Sequence, residues 1–207
     1  MKFSDDCSIA RGSGHITTWV WRLAEQKWSR ETKEAVPTGR QPARMVWAAI
    51  WIDSDGVVGR SPLVIMKRDS SRRRAGYTAR SYLKALTEGL LPNYSAGELF
   101  TRDNARIHTA RISQRWLRIH RIETIDWPPC SPDLDPIEHL WCTLKQKLHE
   151  LCPEFECIGD TNIEWEQFEN GLREAWSAIP DFLITKLILS MPRRLAAFGT
   201  ANGYQAE

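Results

Sequence analysis

Met45 to Ile52 reads MVWAAIWI, eight consecutive residues with no charge and no polar alternation. A run of strand length that never turns a polar face outward belongs inside a sheet, buried on both sides. The segments around it supply the rest of a layered domain. Met1 to Asp5 reads as a short strand ending at Asp5, and Thr17 to Arg22 alternates like a second strand. Residues 24–44 are polar and broken by Pro37, Gly39 and Pro42, so they read as a loop. Asp53-Ser54-Asp55-Gly56 has turn chemistry, and Pro62 to Met66 reads as a hairpin partner. Thr78 to Leu91 places Tyr82, Leu83, Leu86, Leu90 and Leu91 on one helical face, and Pro92 ends it. Glu98 to Thr101 is a short strand. Asn104 to His120 is a helix with Ile107, Ile112, Trp116, Leu117 and Ile119 as core contacts. Ile122 to Trp127 is the next strand, and Pro128 to Pro136 is a rigid loop. Pro136 suits the first turn of a helix running to about Leu151. Two further helices, Ile163 to Ile179 and Pro180 to Leu195, close the chain. The order predicts a mixed α/β layered domain.

Composition narrows the class. The chain has 207 residues, 42% of them hydrophobic, enough for one sizeable core. No apolar run approaches the roughly 18 residues of a transmembrane helix, and the first residues lack a signal peptide's apolar stretch. Five cysteines at irregular spacing favour a reducing compartment. Cys152 and Cys157 have no second pair to make a zinc site and read as ordinary thiols. The net charge of +2 hides an asymmetry. Residues 1–148 carry 24 Lys/Arg against 16 Asp/Glu, and residues 149–207 carry 4 against 10. A basic body fits a polyanionic partner, because each phosphate contact releases counterions, although a solvated surface has the same composition.

Three carboxylates stand in distinctive surroundings. Asp5 lies in Phe3-Ser4-Asp5-Asp6 and Asp103 in Arg102-Asp103-Asn104-Ala105. After 34 intervening residues Glu138 follows, in the run from Trp127 through Pro128-Pro129-Cys130-Ser131-Pro132 to Trp141. Acids at the carboxyl ends of adjacent strands, and in the first turn of a helix, gather into one crevice of an α/β sheet. Three carboxylates there repel one another unless cations neutralise them. Oxygen donors suit Mg²⁺, and a pair of such ions serves phosphodiester chemistry. Each residue taken singly has a plainer reading: Asp5 a turn residue, Asp103 a helix cap, Glu138 a surface acid favoured by the helix dipole. Asp133 and Asp135 read as turn and cap residues.

These segments, in this order and spacing, resemble the catalytic core of the Tc1/mariner superfamily of DDE transposases, closest to its Tc1-like, DD34E branch. Val46-Trp47-Ala48-Ala49 belongs to the same match, which spans residues 1 to about 148. The proline-rich segment ending at Trp141 is its most specific part. The resemblance implies an RNase H-like fold with a central five-stranded mixed sheet flanked by helices. It implies a core over 1–151, with an acidic helical extension over 152–207 packed on it. Asp5, Asp103 and Glu138 become the metal-binding catalytic triad for two Mg²⁺ ions, with Mn²⁺ able to substitute. The implied activity is metal-dependent DNA strand cleavage and strand transfer in cut-and-paste transposition. Its partners are DNA, both transposon ends and target, and a second copy in a homodimer, without a membrane. Its compartment is the nucleus if the source is eukaryotic.

Departures from the pattern bear on that expectation. Asp6 stands where the family usually has Glu, which leaves the register between Asp5 and Asp6 open, and Asp135 stands where Asn is more usual. Family members carry N-terminal helix-turn-helix domains, whereas this chain begins at the first catalytic strand. An isolated catalytic domain, a truncated copy or a mis-started product fits that start. A non-catalytic DNA- or protein-binding remnant, or another RNase H-like nuclease, is then the alternative function. For DNA contact the candidates are Arg72, Arg73 and Arg74 in the basic run, then Arg106, His108, Arg111 and Arg115 along the following helix. Arg111, Arg115 and Arg118 share one face, which suits a phosphate backbone as well as it suits water. Ten tryptophans read as core packing, with Trp47 and Trp51 on one side of their strand.

Overall fold

The computed structural model describes residues 1–10, 43–71, 76–125, 127–128, 134–156 and 159–200. The expected strand at Thr17 to Arg22, most of the loop over 24–44, Arg72, Arg73, Arg74, Cys130, Asp133 and Cys157 lie outside the described residues.

The sheet is organised by β1 (Lys2–Ala10) and β2 (Ala43–Ile52), antiparallel from Lys2 opposite Trp51 to Ala10 opposite Ala43. β3 (Val58–Arg60) and β4 (Val64–Ile65) both pair antiparallel with β2, at its two ends. On the other side of β1, β5 (Leu99–Thr101) runs parallel to it, and β6 (Glu123–Thr124) runs parallel to β5. Among the described residues six strands are hydrogen-bonded, in the order β3-β2-β1-β5-β6 with β4 beside β2. Because β3 and β4 share one edge of β2, the mixed sheet is five positions wide.

β1 corrects the sequence reading, which ended the first strand at Asp5. The strand runs on to Ala10, since Cys7 and Ile9 continue the inward alternation begun by Phe3. Asp5 therefore sits in mid-strand, paired with Ala48. The run that suggested a buried strand is one: Val46, Trp47, Ala48, Ala49 and Ile50 are all 1% exposed or less. Its side chains alternate between two cores. Val46, Ala48 and Ile50 join Phe3 and Ile9 on one face, while Trp47 and Ala49 join Phe100 on the other.

Helices cover both faces. On the Trp47 face lies α1 (Ala79–Ala85), capped by Thr78 and Ser81, whose side-chain oxygens each accept from the other's backbone N–H in a capping box. It continues as a π-helical turn over Leu86–Leu90 and a 3₁₀ turn over Leu91–Asn93. Gly89 sits in that turn directly beneath the Trp47 ring, and a Cβ at this position would overlap the ring carbons. Truncating a ring as buried as Trp47 to Ala costs about 3–5 kcal/mol.

The helix expected over Asn104 to His120 is two, α2 (Arg106–Thr109) and α3 (Arg111–Ile119). Ala110 breaks them by taking an extended backbone, φ −57° and ψ 144°, and the Ser113 hydroxyl donates to the Ile107 carbonyl across the break. The break rotates α3, so Ile112 and Ile119 are exposed and Ser113 and Leu117 face the core. β6 is shorter than the expected Ile122 to Trp127 strand.

The opposite face is covered by α4 (Pro136–Leu151), α5 (Asn162–Ser177) and α6 (Asp181–Leu189), followed by α7 (Met191–Thr200). Ser190 separates the last two, where one helix over Pro180 to Leu195 was expected. α4 begins at the expected Pro136 and is capped by Asp135, whose Oδ1 accepts from the Ile137 N–H at 3.1 Å. Leu140, Leu144, Phe168, Leu172, Trp176 and Ile184 make these helices and the sheet one continuous core. Among the described residues, no helix is long and apolar enough to cross a membrane.

Candidate active site

Adjacent residues of β1 point to opposite faces of a sheet, so Asp5 and Asp6 cannot serve the same side. Asp5 projects to the α4 side, where its Oδ2 accepts from the indole N–H of Trp141 at 2.8 Å. Asp6 projects to the α2 side, where its Oδ1 lies 2.9 Å from His108 Nε2. That contact is a close approach of charges without hydrogen-bond geometry. The His108 Nδ1 meets the Asp103 carboxylate, which also accepts from the Ala105 N–H at 2.9 Å. Asp103 follows β5, and its side chain is 55% exposed. The neighbouring Asn104 is tied down by donating to the Trp127 carbonyl at 2.8 Å. Glu138 is half-buried in the first turn of α4.

The charges of this group are coupled. Burial raises the Asp5 carboxyl to about 7, with Glu138 and Asp6 pushing the same way and the Trp141 N–H partly opposing. Glu138 is raised by burial and then by the negative charge of Asp103, and Lys145, two turns along α4, pulls it down only in part. Asp135 is raised to about 8, chiefly by burial, with Asp5, Glu138 and Asp103 adding to it. Asp103 goes the other way. Burial raises it, but the His108 contact and the Ala105 N–H outweigh that and lower it. Burial draws His108 towards neutrality, yet its two carboxylate contacts win and raise it to about 9.

Asp5, Glu138 and Asp103 thus form an acidic group with all-oxygen donors, in which Lys145 offsets Glu138 only in part. That donor set fits a hard divalent cation. The side chains are within electrostatic reach rather than closed on one point. Among the described residues, no three His, Cys, Asp or Glu side chains gather tightly enough to hold one ion.

The expected DNA contacts divide. Arg106, Arg111 and Arg115 are exposed. Arg111, Arg115 and Arg118 line a concavity of about 860 Å³ with Ile112 and Ile119, apart from the carboxylates. His108 differs from them: at 2% exposed and held between two carboxylates, it has no free edge for a phosphate. The sequence reading gave Trp141 no role at the site and left the choice between Asp5 and Asp6 open. Trp141 was visible three residues after Glu138, one helical turn along the same side. Asp6 was visible as a neighbour, but only the strand's continuation past Asp5 fixes its face.

A mixed sheet with helices on both faces, carrying acids on β1, after β5 and at the start of α4, defines an RNase H-like domain. Residues 69–161 match the DDE superfamily endonuclease family. The Tc1 transposase of Caenorhabditis elegans is 40% identical over 117 residues, 56% of this chain and 40% of the relative. The Tc3 transposase of the same organism is 32% identical over 106 residues, 51% of this chain and 30% of the relative. The chain therefore spans less than half the length of these curated relatives. In fold it is similar to a pre-cleavage Mos1 transpososome, with a TM-score of 0.60 at 18% identity over 100% of this chain and 56% of that one. The Mos1 transposase catalytic domain, solved with Raltegravir and Mg, gives a TM-score of 0.53 at 20% identity, covering 79% of this chain and 78% of that one. Over about half its length this chain is thus similar to the Tc1 and Tc3 transposases, and in fold it is similar to the Mos1 catalytic domain.

Proposed function

We propose that this domain cuts and joins DNA strands in cut-and-paste transposition, with Asp5, Asp103 and Glu138 holding the divalent ions. The observation that carries the reading is the pair of half-buried carboxylates, Asp5 and Glu138, both pushed up by desolvation and acidic neighbours. Bound there, two Mg²⁺ ions, or Mn²⁺ in their place, supply the charge that activates a water or a 3′-hydroxyl and stabilises the leaving oxygen. The chain's own part is to hold the donors. β1 fixes Asp5, α4 fixes Glu138, and His108 with the Ala105 N–H fixes Asp103. The first acid is Asp5 rather than Asp6, since Asp6 already faces a buried histidine on the other side of the strand. Arg111, Arg115 and Arg118 would track a phosphate backbone without reading bases. Transposon ends and target DNA are the partners, a homodimer is the working assembly, and in a eukaryote the nucleus is its place. Asp103→Asn or Glu138→Gln should abolish Mg²⁺- or Mn²⁺-dependent cleavage while circular dichroism stays unchanged. Undiminished cleavage by either variant would sink the assignment.

One observation favours a second reading, a non-catalytic remnant that keeps the fold and binds DNA or protein. The three acids are not gathered into a closed cluster. Calorimetric titration with Mn²⁺ separates the two readings, because a remnant should show no binding that depends on Asp103.

A further inference from the structure

We propose that Trp141 is a positioning residue for the Asp5 carboxylate, fixing one of its oxygens by an indole hydrogen bond from the helix that carries Glu138. The inference rests on the reading of Asp5 and Glu138 as metal ligands.

Four observations support it. Trp141 Nε1 donates to Asp5 Oδ2 at 2.8 Å, joining residues 136 apart in sequence. An indole nitrogen only donates, so the contact has one polarity and one geometry. Trp141 stands three residues after Glu138 on α4, so one helix both supplies one acid and holds the other. The ring itself cannot turn away: it is 3% exposed and stacks on Trp176, with centroids 5.7 Å apart and planes at 29°. Trp176 is fixed in turn, donating from its own Nε1 to the Ser61 carbonyl at 2.9 Å.

Packing alone would be served by a phenyl ring. The N–H aimed at the carboxylate does something further: it orients the group while adding no charge. A lysine or arginine in that place would satisfy Asp5 and compete with an incoming cation. A neutral donor fixes the carboxylate's rotation and leaves its negative charge for the ion. Hydrogen-bond partners of metal ligands typically change metal affinity by about 10–100-fold when removed.

The test uses the full 207-residue chain. Mn²⁺ is titrated calorimetrically into the wild type, Asp5→Asn, Trp141→Phe, and a form carrying 3-benzothienylalanine at position 141. That last side chain keeps the indole's shape and replaces the N–H by sulfur, so it separates donor from packing even if Trp141→Phe fails to fold. Melting of the metal-free forms is followed alongside. Asp5→Asn should abolish an Mn²⁺ event, and the isostere should weaken the same event about 10–100-fold while its melting stays near wild type. Combined with Asp5→Asn, the isostere should cause no further loss. If Asp5→Asn removes the event and the isostere binds within about twofold of wild type, the positioning role is overturned and the metal site stands. If Asp5→Asn binds Mn²⁺ as the wild type does, the metal-site reading itself falls, and the positioning role falls with it.

Discussion

Two carboxylates on neighbouring residues of β1 live under opposite electrostatic rules. Asp6 meets a buried imidazole that is raised to about 9 by its acidic partners and so carries a positive charge at neutral pH. Asp5 meets a neutral indole, sits close in charge to Glu138, and is raised to about 7. One face of the strand has its counter-charge in contact, and on the other, among the described residues, Lys145 offsets the acids only in part. A buried acid that is oriented but not neutralised is costly to keep without a cation, which makes it the better candidate for ion binding. Adjacent positions in a strand can thus divide into a structural acid and a functional one with no change in residue type.

The comparison breaks first on activity. Asp5→Asn should lower Mg²⁺-dependent strand cleavage by about 10³-fold or more, a barrier increase of about 4 kcal/mol. Asp6→Asn should lower it by about tenfold or less, since Asp6 acts on the site through His108 and through its charge rather than as a ligand. Equal losses in a plasmid-nicking assay would erase the distinction between the two faces. Metal affinity gives the next largest effect. Asp5, with a folded value of about 7, must release its proton to bind. Apparent Mn²⁺ affinity should therefore fall about tenfold between pH 8 and pH 6, and a flat calorimetric profile would show that binding releases no proton from Asp5 in that range.

On the other face, His108→Ala leaves Asp6 and Asp103 without their shared cation. With Asp103 partly solvated, a loss of about 2–3 kcal/mol is expected, lowering Tm by roughly 5–10 °C. The pH sign follows from the raised imidazole. Its contribution is complete below the unfolded value near 6.5 and is lost as pH rises through about 9. Melting curves of the variant should lack that alkaline decline. The smallest effect concerns the cap of α4. Asp135 is raised to about 8, so between pH 4 and 8 the unfolded chain gives up a proton that the folded chain keeps, and stability falls across that window. Asp135→Asn retains the capping oxygen without the charge, and should raise Tm by about 4 °C at pH 8 and hardly at all at pH 4.

Much of this was legible in the sequence because it depends on local pattern. Met45 to Ile52 announced a strand covered on both sides, and Pro136 announced the start of α4. The surroundings of Asp103 and Glu138 pointed to one site by family resemblance, and the structure brings the two into electrostatic reach. What escaped depends on relations that no window contains. Ala110 splits a helix that periodicity alone would run through, and the split moves Ile112 and Ile119 out of the core. β1 continues past Asp5 because β2 is there to pair with it, which decides the faces of Asp5 and Asp6. His108, one helical turn from Asp103, fitted a phosphate contact and a satisfied buried histidine equally well, and its burial between two acids decides for the second. The Trp141 hydrogen bond spans most of the domain, so nothing near either residue signals it.

Gly89 and Trp47 carry a lesson about descent. The ring fills the volume that any side chain at position 89 would need, so residue 89 cannot grow while Trp47 stays. A lineage that enlarges residue 89 must first shrink residue 47, passing through a cavity, or else reverse the order and pass through a clash. Both routes cross a less stable intermediate, so across diverged copies the two sites should be inherited as a unit, glycine with the wide ring or a larger residue with a smaller partner.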